Sequence, residues 1–151
     1  MFKVGSYVVY KSNGLCIIDD IRKEKFGNLT RQDYYVLKLL SENGSVLYVP
    51  VEKEENEKSM RTPIAKEDAK KLVEVISDLR ENWISDDKMR AARYKDILEK
   101  ADVKKLAGLV NILKEKSEEL CVIGRKLRSI DEMIMKKAET NLRLELDYAL
   151  K

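Results

Sequence analysis

Trp83 is the only tryptophan of the chain, and Arg90, Arg93 and Lys95 follow within the next dozen residues. An indole beside guanidinium and ammonium groups suits the gripping of a duplex. The ring wedges at a base step, at a cost of a few kcal/mol per step unstacked. The cations hold phosphates and position the protein without reading bases. Arg90 and Arg93 are three apart, so a helix puts them on one face. The same residues have a plainer reading, a tryptophan packing the joint between two helices and a solvated basic face laced with Asp96 and Glu99. Residue types and spacing by themselves favour the plainer reading.

The charge is patterned along the chain. Lys88 to Lys105 carries seven basic residues against three acidic ones, whereas Glu52 to Glu57 holds four acids and one lysine. The net charge is only +3 and the isoelectric point about 8.7, which alone does not imply nucleic acid.

Enzyme chemistry finds little to work with. There is no histidine among the 151 residues, hence no Ser–His or Cys–His pair. Two cysteines, Cys16 and Cys121, cannot build a four-thiolate zinc site. Both lie among apolar neighbours (Leu15-Cys16-Ile17 and Leu120-Cys121-Val122), so buried, inert thiols are expected. No phosphate-cradling glycine loop is present. The carboxylates are spread along helical faces and do not converge. A non-enzyme without metal or cofactor is expected. No apolar run approaches the roughly 20 residues that span a bilayer, and the N-terminus MFKVGSYVVY is too short and polar for a signal peptide. The expectation is a soluble, cytoplasmic protein with no membrane partner.

The elements that must position these residues fall into two kinds. The first part reads as strands: Ser6–Tyr10, Leu15–Ile21, Tyr34–Leu40 and Val46–Pro50, separated by turn signals at Ser12-Asn13-Gly14, Phe26-Gly27-Asn28 and Asn43-Gly44. With no room for helical crossovers, the sheet must be antiparallel and strongly bent. Glu52–Ser59 reads as a charged linker.

Beyond it apolar residues recur at helical spacing. Thr62-Pro63 is a candidate helix start, Ser85 a cap followed by Asp86-Asp87, and Asp102 a cap for the next helix. Lys116–Arg128 reads as a connection, and Ser129 with Glu132 as a capping box. The expected architecture is α+β: a small antiparallel Tudor/SH3-like β domain over residues 1–60, then a compact bundle of about four to five α-helices over 61–151.

Several segments, in order, resemble the CarD/CdnL family of bacterial transcription regulators. They are FKVGSYVVY, Gly14 in the first turn, YYVLKLL, YVPVEK, Trp83, RYKDILEKADVKKLAGLVNIL and the C-terminal LRSIDEMIMKKAETNLRLEL. Each is weak alone, but their order spans nearly the whole chain. Departures mark a divergent member. The family's Pro-x-His-Gly reads Lys11-Ser12-Asn13-Gly14 here, and its Gly-Asp reads Ala101-Asp102.

The resemblance implies that the Tudor-like domain binds the β subunit of RNA polymerase. It implies that the helical domain contacts promoter DNA at the upstream edge of the bubble, through backbone and minor groove. Together these stabilise the open complex. On this basis Lys25, Val46, Leu47 and Tyr48 are the polymerase-binding residues, with Tyr48 where some members carry arginine. Trp83, Arg90, Arg93, Lys95 and Lys137 are the DNA-binding residues, and the family comparison turns Trp83 from joint packing to a DNA-facing role. The family's basic companion to Lys137 is Glu132 or Met133 here, which implies weaker DNA affinity. Binding is expected to depend on salt and to show little sequence preference.

Location at the bacterial nucleoid through polymerase follows from the same resemblance. A monomer is expected, with the exposed β edge as a route to a dimer. The competing reading is a protein-interaction adaptor whose helical domain docks another protein, with Trp83 as its anchor.

Overall fold

The β-branched and aromatic runs at the N-terminus become a meander of antiparallel strands. These are β1 (Tyr7–Tyr10), β2 (Leu15–Glu24), β3 (Gln32–Leu39) and β4 (Val46–Pro50). The computed structural model describes residues 2–151, with side chains at all of these except 55–57. A short strand β5 (Met60–Arg61) pairs with β1, giving the order β4-β3-β2-β1-β5. The β1–β2 turn is one 3₁₀ turn, Lys11–Asn13, closed by Gly14 at φ 73. A bulge between Ile18 and Asp20 bends β2. Two compact units follow the chain, Met1–Pro63 and Ile64–Lys151.

Strand alternation assigns two faces to β3 and β4. Tyr35 and Leu37 pair with Val49 and Leu47 and face a core that also holds Val8, Cys16 and Ile18. Each fully buried apolar side chain contributes about 1.5–3 kcal/mol. Tyr34 and Val36 pair with Pro50 and Tyr48 on the opposite face.

The charged stretch after Pro50 is not a plain linker, because Glu54–Ser59 forms a helix, α1. Glu and Lys are good helix formers, and Lys58 pairs with Glu54 one turn away at 3.3 Å.

The second unit holds α2 (Lys66–Val75), α3 (Asp87–Lys100), α4 (Val103–Val122) and α5 (Ser129–Ala149). The α+β expectation holds. No helix among the described residues is long and apolar enough to cross a membrane. Tyr94, Ile97, Leu106, Leu109, Leu113 and Ile134 form the heart of the helical core.

Several helix ends differ from expectation. α2 starts after Ala65, not at Thr62-Pro63, because the backbone N–H of Ile64 donates to the buried carboxylate of Glu145 at 2.8 Å, which keeps this segment extended. Asp86, not Ser85, caps α3, its side chain accepting from the Met89 N–H at 2.8 Å. Asp102 caps α4 as expected, accepting from the N–H groups of Lys104 and Lys105. Ser129 is already helical, the cap position falls on Arg128, and no side chain bonds there. Glu132 pairs instead with Lys136 at 3.1 Å.

The largest difference is at the end of α4. The residue pattern predicts a connection over Lys116–Arg128, yet the helix continues to Val122. Its last turns carry no apolar stripe because most of these residues are exposed. Periodicity marks buried faces rather than helices as such. Cys121 accordingly is exposed, against expectation, while Cys16 is buried. Burial pushes the Cys16 thiol up to about 12.

The chain then turns at Gly124, whose N–H bonds the Cys121 carbonyl at 3.0 Å while the Arg125 N–H bonds that of Leu120 at 2.8 Å. This is a Schellman turn with glycine at φ 72, and a Cβ there would meet nothing within 4 Å. Gly124→Ala therefore adds backbone strain and nothing else. It is expected to lower the stability of the helical unit by about 1 kcal/mol, read as a drop in thermal midpoint. An unchanged midpoint would mean that the turn rearranges without cost.

Candidate polymerase and nucleic-acid contact sites

The segment before α3 is held against α4. Gly108, in the middle of α4, accepts from the Glu81 N–H at 3.2 Å. The Asn111 side-chain amide donates to the carbonyls of Ile76 and Leu79 at 2.8 and 2.9 Å. A Cβ on residue 108 would lie 3.1 Å from the Glu81 nitrogen, so glycine permits the close approach. Mid-helix glycine costs about 1 kcal/mol, and here it lets the segment that leads to Trp83 approach the helix closely.

Trp83 is half-buried against the helical core. Its ring centroid is 6.5 Å from that of Tyr94. The Tyr94 hydroxyl donates to the Asn82 carbonyl at 2.7 Å, fixing the backbone on one side of the tryptophan. Burial raises the Tyr94 phenol above its ordinary range, so it stays a donor. On the other side Arg90 donates to the carbonyls of Ile84 and Ser85 at 3.0 and 3.4 Å. The Arg90 guanidinium lies 4.4 Å from the indole centroid and the Lys116 ammonium 5.3 Å from it. The tryptophan is a ring presented from a pinned segment.

Arg90 corrects the expectation most sharply. Its spacing puts it beside Arg93 on a phosphate-holding face, but it is 2 % exposed. Its Nε and Nη2 grip the Asp131 carboxylate at 3.0 and 2.7 Å, and Nη2 also reaches Asp87 at 2.8 Å. With the two carbonyls, all five guanidinium N–H groups are used. The Asp131 hydrogen bonds, with those of Asp87, hold the guanidinium more firmly protonated than an ordinary arginine. No donor is left for a phosphate, and Arg90 instead holds the segment that carries Trp83 and lies over its ring.

The other basic residues stay on the surface. Arg93 pairs with Glu81 at 3.3 Å and more loosely with Asp96 at 3.8 Å, leaving its side chain 40 % exposed. Lys95 on α3 and Lys137 on α5 are exposed. The cations found over the Trp83 ring are Arg90 and Lys116 rather than either of these lysines. Sequence reasoning missed Asp131 and Lys116, whose proximity to Trp83 exists only in three dimensions. It also missed Asp87 in this role, although its spacing of three from Arg90 was a local signal.

In the first unit β4 is an outer strand of the sheet, pairing with β3 on one side. Val46 and Tyr48 point outward, 43 % and 37 % exposed, while Leu47 packs against the sheet core. Leu47 therefore offers a partner mainly its backbone. Phe26 and Leu29, from the β2–β3 connection expected as a turn or wide loop, lie exposed beside Tyr48. The Phe26 ring meets those of Tyr34 and Tyr48 edge-on, at 5.0 and 5.3 Å. Together with Leu29, Pro50 and Lys53 they line an open groove of about 410 Å³. Lys25 is exposed next to Phe26. The outward Tyr48 thus has an apolar surround that the strand alone did not suggest.

The family model for the CarD-like/TRCF RID domain matches residues 2–64. The N-terminal unit is similar to the CarD-like/TRCF RID domain. The RID domain is an RNA polymerase β-interacting domain. The match bears out the resemblance over the β unit. The helical residues after 64 lie outside it. No curated protein matches the chain.

Proposed function

We propose that the chain is a non-catalytic transcription regulator that anchors to the polymerase β subunit and stabilises the open promoter complex. The observation that carries the reading is the RID domain joined to a helical unit with a pinned, half-buried tryptophan. β4 would add to an edge of the β subunit, main chain to main chain, with Val46 and Tyr48 as outward contacts and Lys25 alongside. Trp83 would meet the upstream edge of the bubble, with Arg93, Lys95 and Lys137 on flanking phosphates. Arg90 serves as a positioning residue. Because β4 is then occupied by polymerase, the chain works as a monomer, in the cytoplasm of a bacterium and at the nucleoid through polymerase.

Tyr48→Ala tests the anchor. An aromatic at the centre of an interface commonly costs about 2 kcal/mol or more when truncated, so the dissociation constant for polymerase should rise at least tenfold. Circular dichroism should stay unchanged, since the side chain is outward. Wild-type affinity in this variant would remove Tyr48 from the interface.

One observation favours the adaptor reading instead. Trp83 is partly covered by Tyr94, Arg90 and Lys116, as an interface anchor commonly is. Binding of the full chain to forked promoter DNA, with and without polymerase, separates the two. DNA binding that weakens with salt supports the regulator, and its absence supports the adaptor.

A further inference from the structure

The α4–α5 turn is the most exposed apolar feature of the helical unit. Val122 is 87 % exposed and Ile123 65 % exposed. These are not frayed residues, because the Schellman bonds from Gly124 and Arg125 close the turn around them. The residue after the glycine, which in such turns commonly folds an apolar side chain back onto the helix, is Arg125 here. Arg125, Lys126 and Arg128 follow in five residues, and no acidic residue occurs from Leu120 to Ile130. A rigid apolar tip with a cationic collar is therefore held out from the bundle.

Both feet of this tip stand on the Trp83 site. On α4, Lys116 lies over the Trp83 ring, and the six residues from there to Val122 advance about 9 Å along the helix. On the other side Arg128 bonds Asp87. Asp87 also bonds Arg90, which stacks on Trp83. The tip thus lies on the same helix as Lys116, about 9 Å further along it, and is tied to the Trp83 site on both sides.

We infer that the Val122–Arg128 turn is a second promoter-DNA contact, in which Val122 and Ile123 pack against the unstacked base edges of the fork while Arg125 and Lys126 hold flanking phosphates. The inference rests on the DNA-contacting reading of the helical unit. Charge complementarity selects nucleic acid as the occupant, because the residues that follow the tip are basic, neither Arg125 nor Lys126 is buried, and Glu119, one turn before the tip, is paired with Lys116. The apolar pair selects opened rather than closed duplex, as wedge residues do.

The test uses the full chain with duplex and forked promoter DNA. R125Q/K126Q should raise the dissociation constant for both DNAs about five- to tenfold near 0.1 M salt. It should also flatten the slope of log K against log salt by about 0.9 for each phosphate no longer neutralised. V122S/I123S should weaken forked DNA about fivefold and leave duplex within twofold. Cys121 supplies a probe without mutation, since it is the exposed cysteine and Cys16 is buried and protonated at neutral pH. A benzophenone maleimide on Cys121 should crosslink to the DNA of a polymerase–promoter complex.

Wild-type DNA binding by both double variants, with loss in Trp83→Ala, would overturn the second contact and leave the DNA reading standing. A crosslink that lands only on a polymerase subunit would make the turn a protein-docking tip, overturning it likewise. Absence of DNA binding by the wild type, alone and with polymerase, would end the DNA reading and this contact with it.

Discussion

Trp83→Ala is expected to return open-complex lifetime to that of polymerase alone, a loss of about tenfold or more, while polymerase affinity stays within twofold. A wedge at the fork replaces part of the stacking lost on melting, and that stacking amounts to a few kcal/mol per step. Loss of about 1.4 kcal/mol is already tenfold in lifetime. Polymerase binding should survive because it belongs to the RID domain, a separate compact unit. The substitution also removes a ring packed beside Tyr94, so thermal stability will drop somewhat. Trp83→Phe restores much of the packing with a smaller stacking surface, and its lifetime should lie between the two. Opening is read from a fluorescent base inside the bubble. Wild-type lifetime in a Trp83→Ala protein that still binds polymerase would sink the wedge and leave the adaptor.

The second large effect is on folding. Asp131→Asn leaves the Arg90 guanidinium buried, 2 % exposed, without its bidentate partner. Breaking a buried ion pair from one side costs about 3–5 kcal/mol. In a unit of this size each kcal/mol moves the midpoint by about 4–8 °C, so a fall of roughly 15 °C or more is expected. Trp83, the only tryptophan, reports the melting of the helical unit by its fluorescence.

R90L/D131L separates stability from positioning. Replacing both partners with apolar groups is often neutral, so much of the midpoint should return. The cation over the indole and the bonds to Ile84 and Ser85 do not return, so DNA binding should stay weaker than wild type. A midpoint for Asp131→Asn within about 2 °C of wild type, well under the shift that one kcal/mol gives, would show that Asp87 alone neutralises Arg90. Full DNA binding by R90L/D131L would show that Trp83 needs no positioning.

The β unit was the more legible half. Tyr7–Tyr10 and Val46–Pro50 lie where β-branched and aromatic runs and turn residues put them, because these are local signals, whereas the strand from Leu15 runs to Glu24, three residues past the expected end at Ile21. β5 escapes sequence reading, since two residues, Met60 and Arg61, carry no period. Phe26 does not show as part of a surface because a loop side chain's neighbours lie on other strands. In the helical unit Asp102 is readable as a cap, for its partners are the next two or three N–H groups. The start of α2 is not, because Glu145 fixes Ile64 from 81 residues away.

Sequence order, charge pattern and residue types by themselves determined the α+β layout, the likeness of the N-terminal part to a polymerase-interacting domain and the singular position of Trp83. Only the tertiary structure decided the fate of the cations around it. Arg90 and Arg93 look alike on a helix three residues apart. One is drawn inward because Asp131, 41 residues on, offers a bidentate carboxylate where desolvation is met by five hydrogen bonds, and the other stays in water beside Glu81 and Asp96. Cys121 and Val122 were decided the same way. Apolar neighbours in sequence predict burial only when another element covers them, and the end of α4 runs past the bundle that covers its middle.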